Sequence, residues 1–225
     1  MALAPAQDFK RVENGDRGPN TGGMGAYSPV PVAGKDVVDE VMDAFVGPTL
    51  RELRRRGIDY RGVLYAGLML TPEGPKLIEY NVRFGDPEAQ VVLPRMEGDL
   101  ARLLAGAASG SLAAVAGEAR FGADAAVTVV CCAGGYPGGP LRTGVPISGL
   151  DAAAAVPGVT LFHAGTALSG SGPLVVAGGR VLGVTALAPT IAGARARAYA
   201  AAGHLSWEGI HYRGDIAEAA AGEAA

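Results

Sequence analysis

The chain has 225 residues, 49% hydrophobic and 18% charged, with a net charge of −3. That balance belongs to a globular protein of one large or two small domains and excludes an intrinsically disordered chain. The mild negative charge leaves no electrostatic footprint for nucleic acid or an anionic membrane, so neither is expected as a partner. Arginine greatly outnumbers lysine and alanine is abundant, which reads as a compositional bias without functional content. The only cysteines, Cys131 and Cys132, are adjacent in an apolar run. Neighbouring strand residues point to opposite faces, so the pair suits neither one metal nor a bridge between distant strands. Two reduced core thiols of a cytosolic protein are expected instead. The start, MALAPAQDFKR, lacks the basic-then-apolar order of a signal peptide. The apolar runs at 63–70 and 125–133 fall far short of the roughly 20 residues needed to span a bilayer. A soluble, cytoplasmic protein is expected.

In chain order, the first thirty-odd residues read as polar loop. Val37, Val38, Val41, Met42, Phe45, Leu50 and Leu53 then recur at helical spacing and predict a helix over 36–56, kinked or split by Pro48. Gly57 is its C-cap, and the Arg54–Arg56 run suits the negative end of the helix dipole. GVLYAGLML is a continuous apolar run, read as a strand buried on both faces. TPEGP makes a turn, and KLIEYNVRF returns as the second strand of an antiparallel hairpin. Residues 99–109 read as a helix. Beyond 117–122 the texture changes to short strands between Gly/Pro turns: AAVTVVCCA, VTLFHA, PLVVAGG and RVLGVTALA. A helix over 191–203 and a last short strand near 211–213 complete a small, mostly β domain with one helix. AEAAAGEAA reads as a frayed end. The fold class is α+β.

Two stretches carry candidate chemistry. In IEYNVRFGDPE, strand alternation puts Glu79, Asn81 and Arg83 on one face and Ile78, Tyr80 and Val82 on the other. Oxygens from Glu79 and Asn81 suit a hard cation such as Mg²⁺, and the planar fork of Arg83 suits a phosphate or carboxylate. Asp86 and Glu88 add carboxylates at the strand end. The bland alternative is a solvent-facing strand with surface ion pairs, weakened by the apolar neighbouring strand. The second stretch, GPNTGGMGAYSP, is neither a Walker A loop, since no Gly-Lys-Ser/Thr follows, nor G-x-G-x-x-G, since Ser28 takes the last position. It reads either as a structural loop or as one that brings backbone N–H groups close to an anion or small substrate, with Asn20 and Thr21 adding side-chain hydrogen bonds. His163, His204 and His211 show no metal-ligand spacing, and Trp207 and Tyr212 read as packing residues.

Taken together, PAQDFKRVENGDRGPNTGGMGAYSP and LIEYNVRFGDPEAQVVLPRMEGDL closely resemble the phosphoribosylamine–glycine ligase (glycinamide ribonucleotide synthetase) family. VCCAGGYPG, LFHAGTA, GGRVLGVTALAPT and YRGDIA resemble its C-terminal domain, so the likeness runs through nearly the whole chain. The resemblance implies an ATP-grasp ligase of purine biosynthesis. Glycine is activated by ATP as an acyl phosphate, and the amine of 5-phosphoribosylamine displaces phosphate to give glycinamide ribonucleotide. It implies Glu79 and Asn81 as ligands of Mg²⁺ (or Mn²⁺), ATP as co-substrate, and Arg83 as the catalytic stabiliser of transferring charge. It also implies that the glycine-rich loop closes over the glycine and ribosylamine end of the site, with Asp16, Asn20, Thr21 and Gly23 as substrate contacts. Val82 stands where the family more often has Ala.

Members of the family are about twice this length, so the chain is expected to be a C-terminal half that needs the missing N-terminal half as partner. The expected domains are 1–117, the end of the ATP-grasp domain; 118–218, a small β-rich C-terminal domain; and 219–225, a tail. Another ATP-grasp carboxylate–amine ligase, or an inactive fragment serving as an assembly or binding module, are the competing readings.

Overall fold

The computed structural model describes residues 1–170 and 172–222. The chain forms two compact units that alternate along the sequence. The first gathers Met1–Pro5, Val30–Gly85 and Met96–Gly122; the second gathers Ala6–Pro29, Asp86–Arg95 and the described residues from Ala123 onward. These units cut across the sequence division at 117/118, because the first glycine-rich segment folds with the C-terminal sheet.

In the first unit, helix α1 (Lys35–Val41) runs through a π-helical turn (Met42–Val46) into α2 (Gly47–Arg55). The expected helix is present, and Pro48 does not split it. Pro48 lacks an N–H and its ring crowds the carbonyl four residues back, and the wider turn just before it relieves both. Gly57 follows in the left-handed region at φ 74°, as its C-cap role requires. Strands β5 (Tyr65–Thr71) and β6 (Gly74–Asn81) make the expected antiparallel hairpin as a two-stranded sheet. The burial expected for β5 is not observed: Met69 is 56% exposed and Leu70 is also exposed. A two-stranded ribbon has too few neighbours to cover both faces of a strand. Helix α4 (Leu100–Ser109) matches its expected span, with Asp99 accepting from the Arg102 N–H as N-cap. A 3₁₀ stretch (Leu112–Glu118) packs against it.

The second unit is built on a five-stranded antiparallel sheet, in the order β1 (Gln7–Asp8), β4 (Gly25–Ser28), β7 (Ala125–Cys132), β11 (Arg180–Ala188), β8 (Val159–His163). The central strand β7 is buried at every position, which is why its sequence is apolar without alternation. Its one hydroxyl, Thr128, meets Thr185 Oγ1 across the strands at 2.8 Å. Helix α6 (Ile191–Ala202) buries Ala194, Ala198, Ala201 and Ala202, small side chains that let the helix lie close on the sheet. Short α3 (Ala89–Val92) also packs on β4, β7 and β11. Two-stranded ribbons β2–β3 (Arg11–Glu13, Arg17–Asn20) and β9–β10 (Thr166–Leu168, Leu174–Val176) complete the strands.

Several expectations need correction here. The opening loop contains strands β1 to β4. The second half carries not one helix but α5 (Leu150–Ala154), α6 and α7 (Glu218–Gly222). The supposed frayed end is helical over α7, with Ala220 buried; residues 223–225 of that tail lie outside the described residues. The last strand reduces to one bridge, Cys132 to His211. Cys131 and Cys132 are buried free thiols, as expected. Burial pushes the Cys132 thiol up to about 12 and raises Cys131 as well. Trp207 and Tyr212 pack at the core.

Candidate functional site

The candidate cation ligands lie on β6 in the first unit. The hairpin register pairs Gly67 with Glu79 and Leu68 with Leu77, so Ile78 is an extra residue, a β-bulge. The bulge breaks the alternation read from the sequence, and Ile78 and Glu79 are consequently both exposed; Ile78 is 66% exposed. Beyond it, Asn81 Nδ2 donates to Glu79 Oε1 at 3.1 Å, so the carboxylate and the amide do converge. Gly67 makes room for them: a Cβ there would come within 3.1 Å of Glu79 Cγ. Tyr80 faces away, its hydroxyl 2.9 Å from Thr49 Oγ1 on α2, which ties the strand to the helix.

The strand ends at Asn81, so Arg83 is not on its face by alternation. It lies two residues past the end, exposed, with Nη1 donating to Phe84 O at 2.7 Å. Val82 is 75% exposed.

A carboxylate and an amide that meet on an open strand face fit a hard cation, with the remaining positions left to water or phosphate oxygens. Among the described residues no group of three or more His, Cys, Asp or Glu is placed to hold a metal.

The glycine-rich stretch lies in the second unit, and half of it is not a loop. Gly25–Ser28 is the buried strand β4, paired to β7. A Cβ at Gly25 would meet Thr128 O at 2.6 Å, so glycine is what lets these strands approach. In the turn before it, the backbone N–H groups are committed within the protein. Thr21 N donates to Lys10 O (2.7 Å), Gly22 N to Tyr136 Oη (2.8 Å), Gly23 N to Thr21 Oγ1 (2.9 Å) and Met24 N to Phe9 O (2.8 Å). The turn does not hold out an anion cradle.

Gly23 sits at φ 119°, and a Cβ on it would fall 2.3 Å from Pro87 Cδ. Thr21 Oγ1 also donates to Lys10 O at 2.8 Å. Asn20 ends β3, exposed. The four expected substrate residues thus divide: Thr21 and Gly23 shape the turn, while Asp16 and Asn20 present exposed side chains.

Asp16 adopts a left-handed backbone at φ 53° and is held by Arg213, whose Nη1 reaches Asp16 Oδ1 at 2.7 Å. Arg213 is 1% exposed. It also forks onto Asp215 through Nε and Nη2, each at 2.8 Å, donates to Arg11 O, and lies over the Phe9 ring. Those hydrogen bonds hold the Asp215 carboxyl below its ordinary value. Gly15 N donates to Asp215 Oδ2 and Gly214 N to Asn14 Oδ1, so the segment 213–215 grips the β2–β3 hairpin. A concavity of about 280 Å³ opens beside it, lined by Phe9, Asp16, Tyr27, Arg213 and Asp215 among others.

Sequence reading missed Arg213, Arg180 and Tyr136 as organising residues. Asp86, read as one of two carboxylates at the strand end, pairs with Arg180 at 2.8 Å. YRGD and GGR carry no local pattern announcing partners far away in sequence.

Known proteins share this architecture. Two domain models of one family match the chain: the phosphoribosylglycinamide synthetase ATP-grasp (A) domain over residues 1–89, and the C domain of the same synthetase over 126–219. A phosphoribosylamine–glycine ligase of Streptomyces coelicolor is 53% identical over 98% of this chain and 53% of its own length. One from Rhizobium meliloti is 52% identical over 96% of this chain and 50% of its own length. The crystal structure of the Thermotoga maritima phosphoribosylamine–glycine ligase superposes with a TM-score of 0.77 at 36% identity, covering 95% of this chain and 51% of that one. The chain spans about half the length of the curated relatives it matches. With both domain models met in order and an α+β fold that matches a solved relative, the chain belongs to the phosphoribosylglycinamide synthetase family.

Proposed function

We propose that this chain supplies the cation-binding strand and the substrate hairpin of a phosphoribosylamine–glycine ligase. The observation that carries the reading is the Glu79–Asn81 pair, a carboxylate and an amide 3.1 Å apart on a bulged, open strand in a chain of this family. The reaction joins glycine to 5-phosphoribosylamine at the expense of ATP. A glycine carboxylate oxygen takes the γ-phosphoryl group, releasing ADP. The amine nitrogen then attacks the acyl carbon, the carbon–oxygen bond to phosphate breaks, and the amine loses a proton.

Glu79 and Asn81 would hold Mg²⁺ or Mn²⁺, which when bound neutralises charge on the phosphoryl oxygens. Phosphoryl transfer asks for positioning and charge stabilisation more than covalent help, and these residues offer both. The guanidinium of Arg83 spends one donor on Phe84 O and can turn its fork to a phosphoryl or acyl-phosphate oxygen. The Asp16 carboxylate and the Asn20 amide contact the amine-bearing substrates, while Thr21 and Gly23 act through the shape of the turn. Because the chain spans half the length of its relatives, we propose that turnover needs the N-terminal portion those relatives carry. We assign the reaction to the cytoplasm, on the strength of two free thiols kept in the core.

Oxygen-18 labelling tests this directly. In the assembled enzyme, label placed in the glycine carboxylate should appear in the released phosphate. Glu79→Gln should slow that transfer by about 10–100-fold at fixed Mg²⁺ while leaving the fold intact. Phosphate free of label would remove the acyl-phosphate route, and an unchanged rate in the variant would remove Glu79 from the cation's ligands.

A further inference from the structure

The turn Thr21–Gly23 is gripped by two side chains that the proposed chemistry leaves unused. Tyr136, from AGGYPG, accepts the Gly22 N–H on its hydroxyl at 2.8 Å. Arg180, the first residue of β11, holds the next peptide unit of the same glycine: Nη1 donates to Gly22 O at 2.9 Å. The guanidinium also donates to Asp86 O (2.9 Å) and forks onto the Asp86 carboxylate, with Nη2–Oδ2 at 2.8 Å and Nη1–Oδ1 at 3.2 Å. Asp86 is steadied in turn by Gln90 Nε2, 2.9 Å from Oδ1.

Glycines make the grip possible. A Cβ on Gly22 would lie 3.0 Å from Arg180 Cζ, and one on Gly179 would lie 2.4 Å from the Tyr136 ring. On the far side, Pro87 closes against Gly23. The turn is therefore held at both its carbonyl and its N–H, immediately after Asn20.

We infer that Arg180, together with Tyr136, is the positioning residue of the substrate hairpin, fixing both peptide units of Gly22 so that the turn holds Asn20 in one arrangement. Neither residue touches a reacting atom in this scheme. Arg180 suits the task because one planar fork serves two carbonyls and a carboxylate at once, which the point charge of a lysine cannot reproduce. The inference rests on the ligase reading for what the hairpin contacts, though the grip itself is independent of it.

Two measurements separate these levels. The first is residue-resolved amide hydrogen exchange on the chain itself, comparing wild type with Tyr136→Phe and Arg180→Lys. Tyr136→Phe removes a single oxygen and preserves the ring, so it tests the grip even if Arg180 variants fold poorly. Exchange at Gly22–Met24 should rise about tenfold in each variant, as expected for the loss of a shielding hydrogen bond. Unchanged exchange there would overturn the inference.

The second is steady-state kinetics of the assembled enzyme. In both variants KM for glycine or 5-phosphoribosylamine should rise about tenfold, with KM for ATP and the thermal midpoint held, and Arg180→Ala should be worse than Arg180→Lys. Equal rises in every KM, or a fall in thermal midpoint that accounts for the loss, would reduce Arg180 to a general structural residue and contradict the inference. A wild-type enzyme without glycine-dependent turnover would instead overturn the ligase reading, while the exchange result would still decide whether the grip exists.

Discussion

Gly23 shows how a residue type can be legible while its reason is not. The density of glycines marks 18–29 as special in sequence, and the stretch reads either as a structural loop or as one that brings its amides close to an anion or small substrate. The structure gives another cause. Gly23 sits at φ 119°, and its missing side chain is the space filled by Pro87. The amides from Thr21 to Met24 are all committed inside the protein. Gly23→Ala should therefore destabilise the chain by about 2–4 kcal/mol, since backbone strain and a steric clash add. Urea denaturation checks it, and a change below about 0.5 kcal/mol would mean the turn relaxes freely. Glu79 and Asn81 were more transparent. Two residues apart on a strand, they had to share a face, and they do meet. Alternation failed for Arg83 because the strand stops at Asn81, and for Ile78 because a bulge inserts there. Neither event leaves a signature in a single sequence.

Among the elements, those whose hydrophobic pattern arises locally were read well: the helix running from α1 into α2, α4, α6, the β5–β6 hairpin and strand β7. The short strands β1 to β4 were not. Strand β4 pairs with β7, far along the chain, and opens on Gly25 because it must approach that strand closely, which disguises a core strand as a loop. The β2–β3 hairpin depends in the same way on residues almost two hundred positions distant.

The Arg213–Asp215 pair at its base makes that dependence measurable. Arg213 holds the Asp215 carboxyl below its usual value of 3.8. A depressed carboxylate contributes stability that is full above the unfolded value and lost as pH falls through the lower folded value. Asp215→Asn should cost about 1–3 kcal/mol at neutral pH, because it weakens the partner set of a buried guanidinium. The gap between variant and wild type should narrow below pH 3.8. Chemical denaturation at neutral and acid pH decides it, and a gap constant with pH would remove the ion pair from the account.

For the whole molecule, length and composition indicate a globular chain and the order of predicted elements an α+β fold, and the described residues contain no helix long and apolar enough to cross a membrane. The organisation into units was harder to read. Sequence texture changes near 117–122, yet the N-terminal strands belong with the C-terminal sheet, so each unit is assembled from separate stretches of chain. A linear reading divides a chain at points, whereas packing groups it by contact. The β5–β6 ribbon leaves the apolar side chains of Met69, Leu70 and Ile78 exposed.

We propose that this chain carries a working half of a glycine-activating ligase. The most direct measurement is ADP formation dependent on both glycine and freshly made 5-phosphoribosylamine. It is assayed for the chain alone and for the chain mixed with the N-terminal half of the Streptomyces coelicolor relative. Turnover in the mixture and none from either half alone is the expected result. No turnover in the mixture, with both halves folded and associated, would contradict it.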